Sequence, residues 1–114
     1  MTKQDSGSPL FSQAAARAAP LAPGRLSALV AEHGSMELRW YAPKRVDPQT
    51  PHDRDEVYVV VSGSGEFVCG DRRVAFGPGD ALFVPARAEH RFEQFTDDFA
   101  TWVIFYGPEG GERP

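Results

Sequence analysis

The chain has 114 residues, 41% of them hydrophobic, and a formal net charge of −4, which suits one domain around one core. Its acidity, and the absence of any cationic cluster longer than Arg72-Arg73, argue against nucleic acid or an anionic membrane surface as a partner. Cys69 is the single cysteine, so no intrachain disulfide forms; with neither a secretory-type start nor an apolar run near the roughly 20 residues of a membrane span, a soluble, cytoplasmic protein is expected.

Residues 1–24 are rich in Ala, Ser and Pro, and Gly7, Pro9, Pro20, Pro23 and Gly24 interrupt any regular pattern. This predicts a mostly irregular N-terminal arm, either mobile or docked on the face of the domain. Residues 14–19 suffice for one or two helical turns, too short to persist without packing. Residues 25–106 read as strands and turns, and 107–114 as a flexible tail. Strands are predicted at 26–31 and 36–41, with Gly34 supplying a left-handed turn position between them. In the second of these, Met36, Leu38 and Trp40 alternate with Glu37, Arg39 and Tyr41, which makes one face apolar. Residues 42–50, with Pro43 and Pro48, read as a loop. Further strands are predicted at 57–61, 66–69, 73–76, 81–84, 90–95 and 100–106. About eight strands joined only by turns indicate a sandwich or barrel.

Two histidines and a carboxylate, His52, Glu56 and His90, each lie beside a strand-like run, the arrangement of a divalent transition-metal site with open coordination positions. On a straight strand His52 and Glu56 would be about 13 Å apart at roughly 3.3 Å per residue. Ligand bonds are only about 2.0–2.2 Å long, so the chain must turn through Asp53-Arg54-Asp55 to bring them together. Taken singly, the same residues also fit an exposed His52–Glu56 ion pair and an ordinary surface His90. His33, in its turn, reads as a surface histidine.

In this region the sequence resembles the cupin family. His52, Glu56 and Gly63 match the second histidine, the glutamate and the closing glycine of the first cupin motif, while Thr50 and Lys44 stand where that motif has its first histidine and opening glycine. Gly79, Pro85 and His90 keep the register of the second motif, with Arg87 replacing its glycine and Gln94 its asparagine. The resemblance spans about 25–106. It implies an all-β fold, a small jelly-roll β-barrel, with a divalent transition metal (Fe, Mn, Ni or Zn) on His52, Glu56 and His90. Thr50 is a poor ligand, so three protein ligands are expected instead of the family's four, with Gln49 as a supplementary oxygen donor.

Strand parity extends the expected pocket. Counting in twos from His90 points Phe92 and Gln94 inward, and counting from Glu56 does the same for Tyr58 and Val60; Trp40 and Trp102 are candidate walls. An aromatic pocket of this kind, Trp40, Gln49, Tyr58, Phe92, Gln94 and Trp102, suits a small organic molecule. Outward-facing Val57, Val59 and Val61 need cover from the N-terminal arm or a second subunit, and a homodimer is expected. The function classes left open are a metal-dependent enzyme of dioxygenase, isomerase or lyase type, a small-molecule binding or sensing module, and a cupin that has lost its metal.

Overall fold

The computed structural model describes residues 8–113, so the start of the N-terminal arm lies outside the described residues. One short helix, α1 (Gln13–Ala18), precedes eight strands: β1 (Ala28–His33), β2 (Met36–Tyr41), β3 (Asp55–Ser62), β4 (Gly65–Cys69), β5 (Arg72–Phe76), β6 (Ala81–Val84), β7 (His90–Glu93) and β8 (Ala100–Tyr106). They form a five-stranded sheet, β1-β2-β8-β3-β6, and a three-stranded sheet, β5-β4-β7, with every pairing antiparallel. The domain is thus an all-β jelly roll, and β-branched or aromatic runs mark its central strands, β3 (DEVYVVVS) and β8 (ATWVIFY).

Between the sheets lies the main core: Tyr58, Val60, Phe67, Phe76, Val84, Phe92, Phe99 and Val103, with Tyr41 and Phe105 nearer the open end. The β3 parity holds, with Glu56, Tyr58 and Val60 buried and Val57, Val59 and Val61 partly exposed on the other side. Gly63 ends the β3 turn at φ 82°, and a Cβ there would lie 2.5 Å from the Phe99 Cα, so both conformation and space require glycine.

The second cluster, on the outer face of the five-stranded sheet, corrects the reading of β2. Trp40 pairs in register with Trp102, while Tyr41 stands opposite Thr101 and Arg39 opposite Val103. Trp40 and Trp102 pack edge to face, 5.0 Å between ring centroids, beneath Ala16 of α1. The apolar face of β2 is therefore the outer one, because α1 covers it. Arg39 turns inward and is buried, donating to Ser27 O (2.9 Å) and pairing with Glu37 (2.8 Å).

Among the described residues of the N-terminal arm, α1 packs on the outer face of the five-stranded sheet. Ser12 caps α1 by accepting from Ala15 N at 3.1 Å, Ala16 is fully buried, and the Arg17 guanidinium stacks 4.9 Å above Trp40. A helix of six residues is held by this packing, since propensity alone would not maintain it. The segment after Tyr106 also lies on the barrel: Gly110 N donates to Asp53 O (2.6 Å) and Glu112 N to Asp55 Oδ2 (2.8 Å). Among the described residues, no helix is long and apolar enough to cross a membrane.

Candidate metal centre

His52 lies at the end of the long β2–β3 loop, Glu56 is the second residue of β3, and His90 opens β7. The chain bends at Asp53 and Arg54, so His52 and Glu56 do not share one straight strand. Two contacts fasten the loops together. Arg87 N donates to His52 O (2.5 Å), and Ala86 N donates to the buried carboxylate of Asp55 (2.9 Å). The β6–β7 loop that carries His90 is thereby pinned to the start of β3.

One donor atom from each of His52, Glu56 and His90 falls within a 4.8 Å cluster. His90 Nε2 is 3.0 Å and His52 Nε2 3.9 Å from Glu56 Oε1. The His90 tautomer follows from its other nitrogen, which lies 2.9 Å from the Ala88 carbonyl, a group that only accepts. Nδ1 therefore carries a proton, and neutral His90 presents a bare Nε2 lone pair to the site. Glu56 is 1% exposed, and without a proton on that Nε2 neither of its oxygens meets a donor. Buried acceptors converging in this way are costly unless a cation or a proton satisfies them. The donor chemistry fits a divalent transition metal.

The electrostatics agree with that competition between proton and metal. Burial opposes charging of His90, but the Glu56 carboxylate and the Ala88 carbonyl outweigh it and raise its pKa above the ordinary 6.5. For His52 burial prevails over Glu56, and its pKa is lowered. Phe105, whose ring packs edge to face against His52 at 5.0 Å, orients that imidazole.

Gln49 enters the same cluster. Its Oε1 lies 3.2 Å from His52 Nε2 and 3.1 Å from His90 Nε2, and accepts from Tyr58 OH at 3.0 Å. Behind it stands Asp47, buried at 6% exposure, which sequence reasoning missed. Asp47 accepts from Gln49 Nε2 (2.6 Å), Phe92 N (2.8 Å), Gln49 N (3.3 Å) and the Tyr41 hydroxyl. A lone Asp in a Pro-containing loop carries no local signal of burial; its partners come from strands 6 and 45 positions away.

The cupin domain family matches residues 38–106, more than half of the chain. The chain belongs to the cupin family. An uncharacterized protein of Streptomyces coelicolor is 38% identical over 63 residues, which are 55% of this cupin and 60% of that relative, so the match spans less than two thirds of the relative's length. A cupin superfamily protein of Desulfitobacterium hafniense shares the fold at 18% identity and TM-score 0.62, over 90% of this cupin and 94% of that chain. The DMSP lyase DddQ of Ruegeria pomeroyi superposes with TM-score 0.55 at 25% identity, over 64% of this cupin and 39% of that chain.

A cavity of about 360 Å³ opens onto the cupin's site, lined by Gln49, Thr50, His52, Glu56 and Tyr58 together with Arg25, Tyr41, Val103 and Phe105. Thr50 is exposed, and no hydrogen bond ties its side chain to the cluster. Of the six expected pocket residues, Gln49 and Tyr58 are brought to this cavity. Phe92 points inward but is sealed in the core, and Trp40 and Trp102 lie on the far side of the sheet. Gln94 is exposed at φ 51°, beyond the end of β7, so the alternation that would have pointed it inward stops one residue earlier. Both departures from the second motif, Arg87 at φ 69° and Gln94, occupy left-handed backbone, where glycine and asparagine are the residues best suited. Arg25, Tyr41 and Phe105 escaped sequence reasoning because they reach the cavity only through strand pairing and the course of the N-terminal arm.

Proposed function

We propose that this cupin holds one divalent transition metal, Fe, Mn, Ni or Zn, on His52, Glu56 and His90, and binds a small organic substrate beside it in the 360 Å³ cavity. What carries the reading is the convergence of two imidazole nitrogens and a buried carboxylate oxygen that lacks a hydrogen-bond donor whenever His90 is neutral. The metal, when bound, would supply Lewis acidity or O₂ activation. The chain's own residues hold and shape the site: Ala88 orients His90, Phe105 packs on His52, and Tyr58 OH donates to Gln49 Oε1. Arg25 is the cation of the cavity wall and would meet an anionic group of the substrate.

Dioxygenase, isomerase and lyase chemistry all fit this frame, and the likeness to a DMSP lyase supports the last of these at the level of fold alone. A second reading, a non-catalytic binding or sensing module, is favoured by one observation. Among the described residues the cavity lining holds no carboxylate or imidazole besides Glu56 and His52, and burial raises the pKa of both Tyr41 and Tyr58, so these phenols donate and do not serve as bases. A homodimer through the outer sheet face and a cytoplasmic location belong to the same proposal.

Elemental analysis of tag-free protein tests the reading first. One metal per chain in the wild type, and none in His90→Ala, is the expected result; a folded wild type with no metal would leave the cupin that has lost its ion. Anaerobic metal loading followed by a substrate screen then separates the two uses of the pocket. Product formation indicates an enzyme, and tight binding without product indicates a sensor.

A further inference from the structure

Thr50, at the position where a histidine would join the cluster, is exposed and makes no hydrogen bond to it, yet a fourth donor atom is already there. We propose that Gln49 is a metal donor through Oε1, and that Asp47 is the positioning residue that holds the amide in that orientation. The inference rests on the metal reading above and names the missing member of its donor set.

A glutamine amide presents an acceptor on one side and two N–H donors on the other, and its surroundings decide which side faces the site. Here Asp47 decides. Its Oδ2 lies 2.6 Å from Gln49 Nε2, and a carboxylate only accepts; rotating the amide would set oxygen against oxygen at that separation. Asp47 cannot swing away to accommodate the rotation, because Phe92 N, Gln49 N and the Tyr41 hydroxyl all donate to it within the core. Gln49 Oε1 is thus committed to the side of His52 and His90, with Nε2 atoms 3.2 and 3.1 Å away. One of its lone-pair directions is taken by Tyr58 OH, leaving the other for a cation. The charged acceptor behind the amide also polarises it, making the carbonyl oxygen a stronger donor.

The resulting set has two imidazoles, one carboxylate and one amide oxygen. It replaces an imidazole nitrogen by a harder, neutral oxygen, which shifts preference toward Mn(II) or Fe(II) and away from softer ions. The neighbouring position in the chain performs this role because Asp47, two residues before Gln49, anchors the loop with Gln49 aimed inward.

Cobalt(II) is the probe, read by visible absorption and by chelator competition on the full chain, with circular dichroism to confirm folding. Q49A, whose side chain is only partly buried, is expected to weaken binding by about 10- to 100-fold and to shift the cobalt bands. D47N, which permits the amide to turn, is expected to reproduce that shift; should it fail to fold, the milder Y41F loosens Asp47 while keeping its carboxylate, and should move the bands in the same direction. Wild-type affinity and spectrum in Q49A would overturn the inference while leaving the three-ligand site standing. An altered Q49A beside an unaltered, folded D47N, or an unaltered Y41F, would remove the role of Asp47. Failure of the wild type to take up cobalt would overturn the metal reading itself, and this inference with it.

Discussion

Glu56 sits at the end of a strand that buries its side chain, in a cluster composed of acceptors whenever His90 is neutral. Retaining such a group costs stability in the absence of a cation, since an unpaired buried acceptor costs about 1–3 kcal/mol and a charged one more. Glu56→Gln is therefore expected to raise the unfolding free energy of metal-free protein at pH 8 by on the order of 1 kcal/mol while weakening metal binding. Chemical denaturation with and without metal checks both halves. Acid should act on the same atoms. Because Glu56 and Ala88 raise the His90 pKa above 6.5, the proton favours the fold below that value and this contribution fades as pH rises through the raised one. A metal must displace that proton, so its affinity should begin to fall above pH 6.5 and continue falling on further acidification. Chelator competition between about pH 5 and 8 measures it, given an unperturbed imidazole near 6.5; a flat profile would contradict histidine ligation.

At the level of elements, the loops control the site. The β3–β4 turn holds Gly63 against Phe99, with a left-handed φ and no space for a side chain. Gly63→Ala should cost about 1–3 kcal/mol in urea denaturation through overpacking and backbone strain. Because Gly63 lies at the far end of β3 from Glu56, metal affinity measured in the folded variant should stay near that of the wild type. The β2–β3 loop behaves differently. It has no regular structure, yet the buried Asp47 fastens it to β2 through Tyr41 and to the free edge of β7 through Phe92 N. The loop that presents Gln49 and His52 is thus fixed from within, which is what a preorganised site demands.

Over the whole molecule, the two faces of the five-stranded sheet are unequally covered. The inner face closes against the three-stranded sheet, whereas α1 covers only the part of the outer face around Trp40, Val61 and Trp102. Beyond the helix, Val57 and Ile104 are adjacent in register and Val57 stands opposite Phe83, which is 56% exposed. An apolar strip continuing past its cover is where the proposed second copy would pack. Light scattering should give the mass of two chains, and Phe83→Glu should give one, at little folding cost because the residue is already exposed. A wild type with the mass of one chain would remove the dimer from the proposal.

Local chemistry determined much of this protein from its sequence. The strands at 36–41, 81–84 and 100–106 follow directly from β-branched and aromatic runs between turn residues, and the boundaries of the remaining strands differ by at most two positions. His52, Glu56 and His90 stood out because each lies beside a strand-like run and all three keep the register of the cupin motifs, and the necessary bend after His52 followed from the rise of a strand. Tertiary structure alone decided which faces and which partners were used. α1 covers the outer face of β2 and β8 around Trp40 and Trp102, so apolarity did not distinguish barrel interior from helix-covered exterior, and both tryptophans fell on the side that alternation could not identify. The same holds for Asp47: its neighbour Gln49 supplies two donors locally, but whether the carboxylate otherwise meets water or the Tyr41 hydroxyl and Phe92 N depends on strands outside its loop that only folding brings to it.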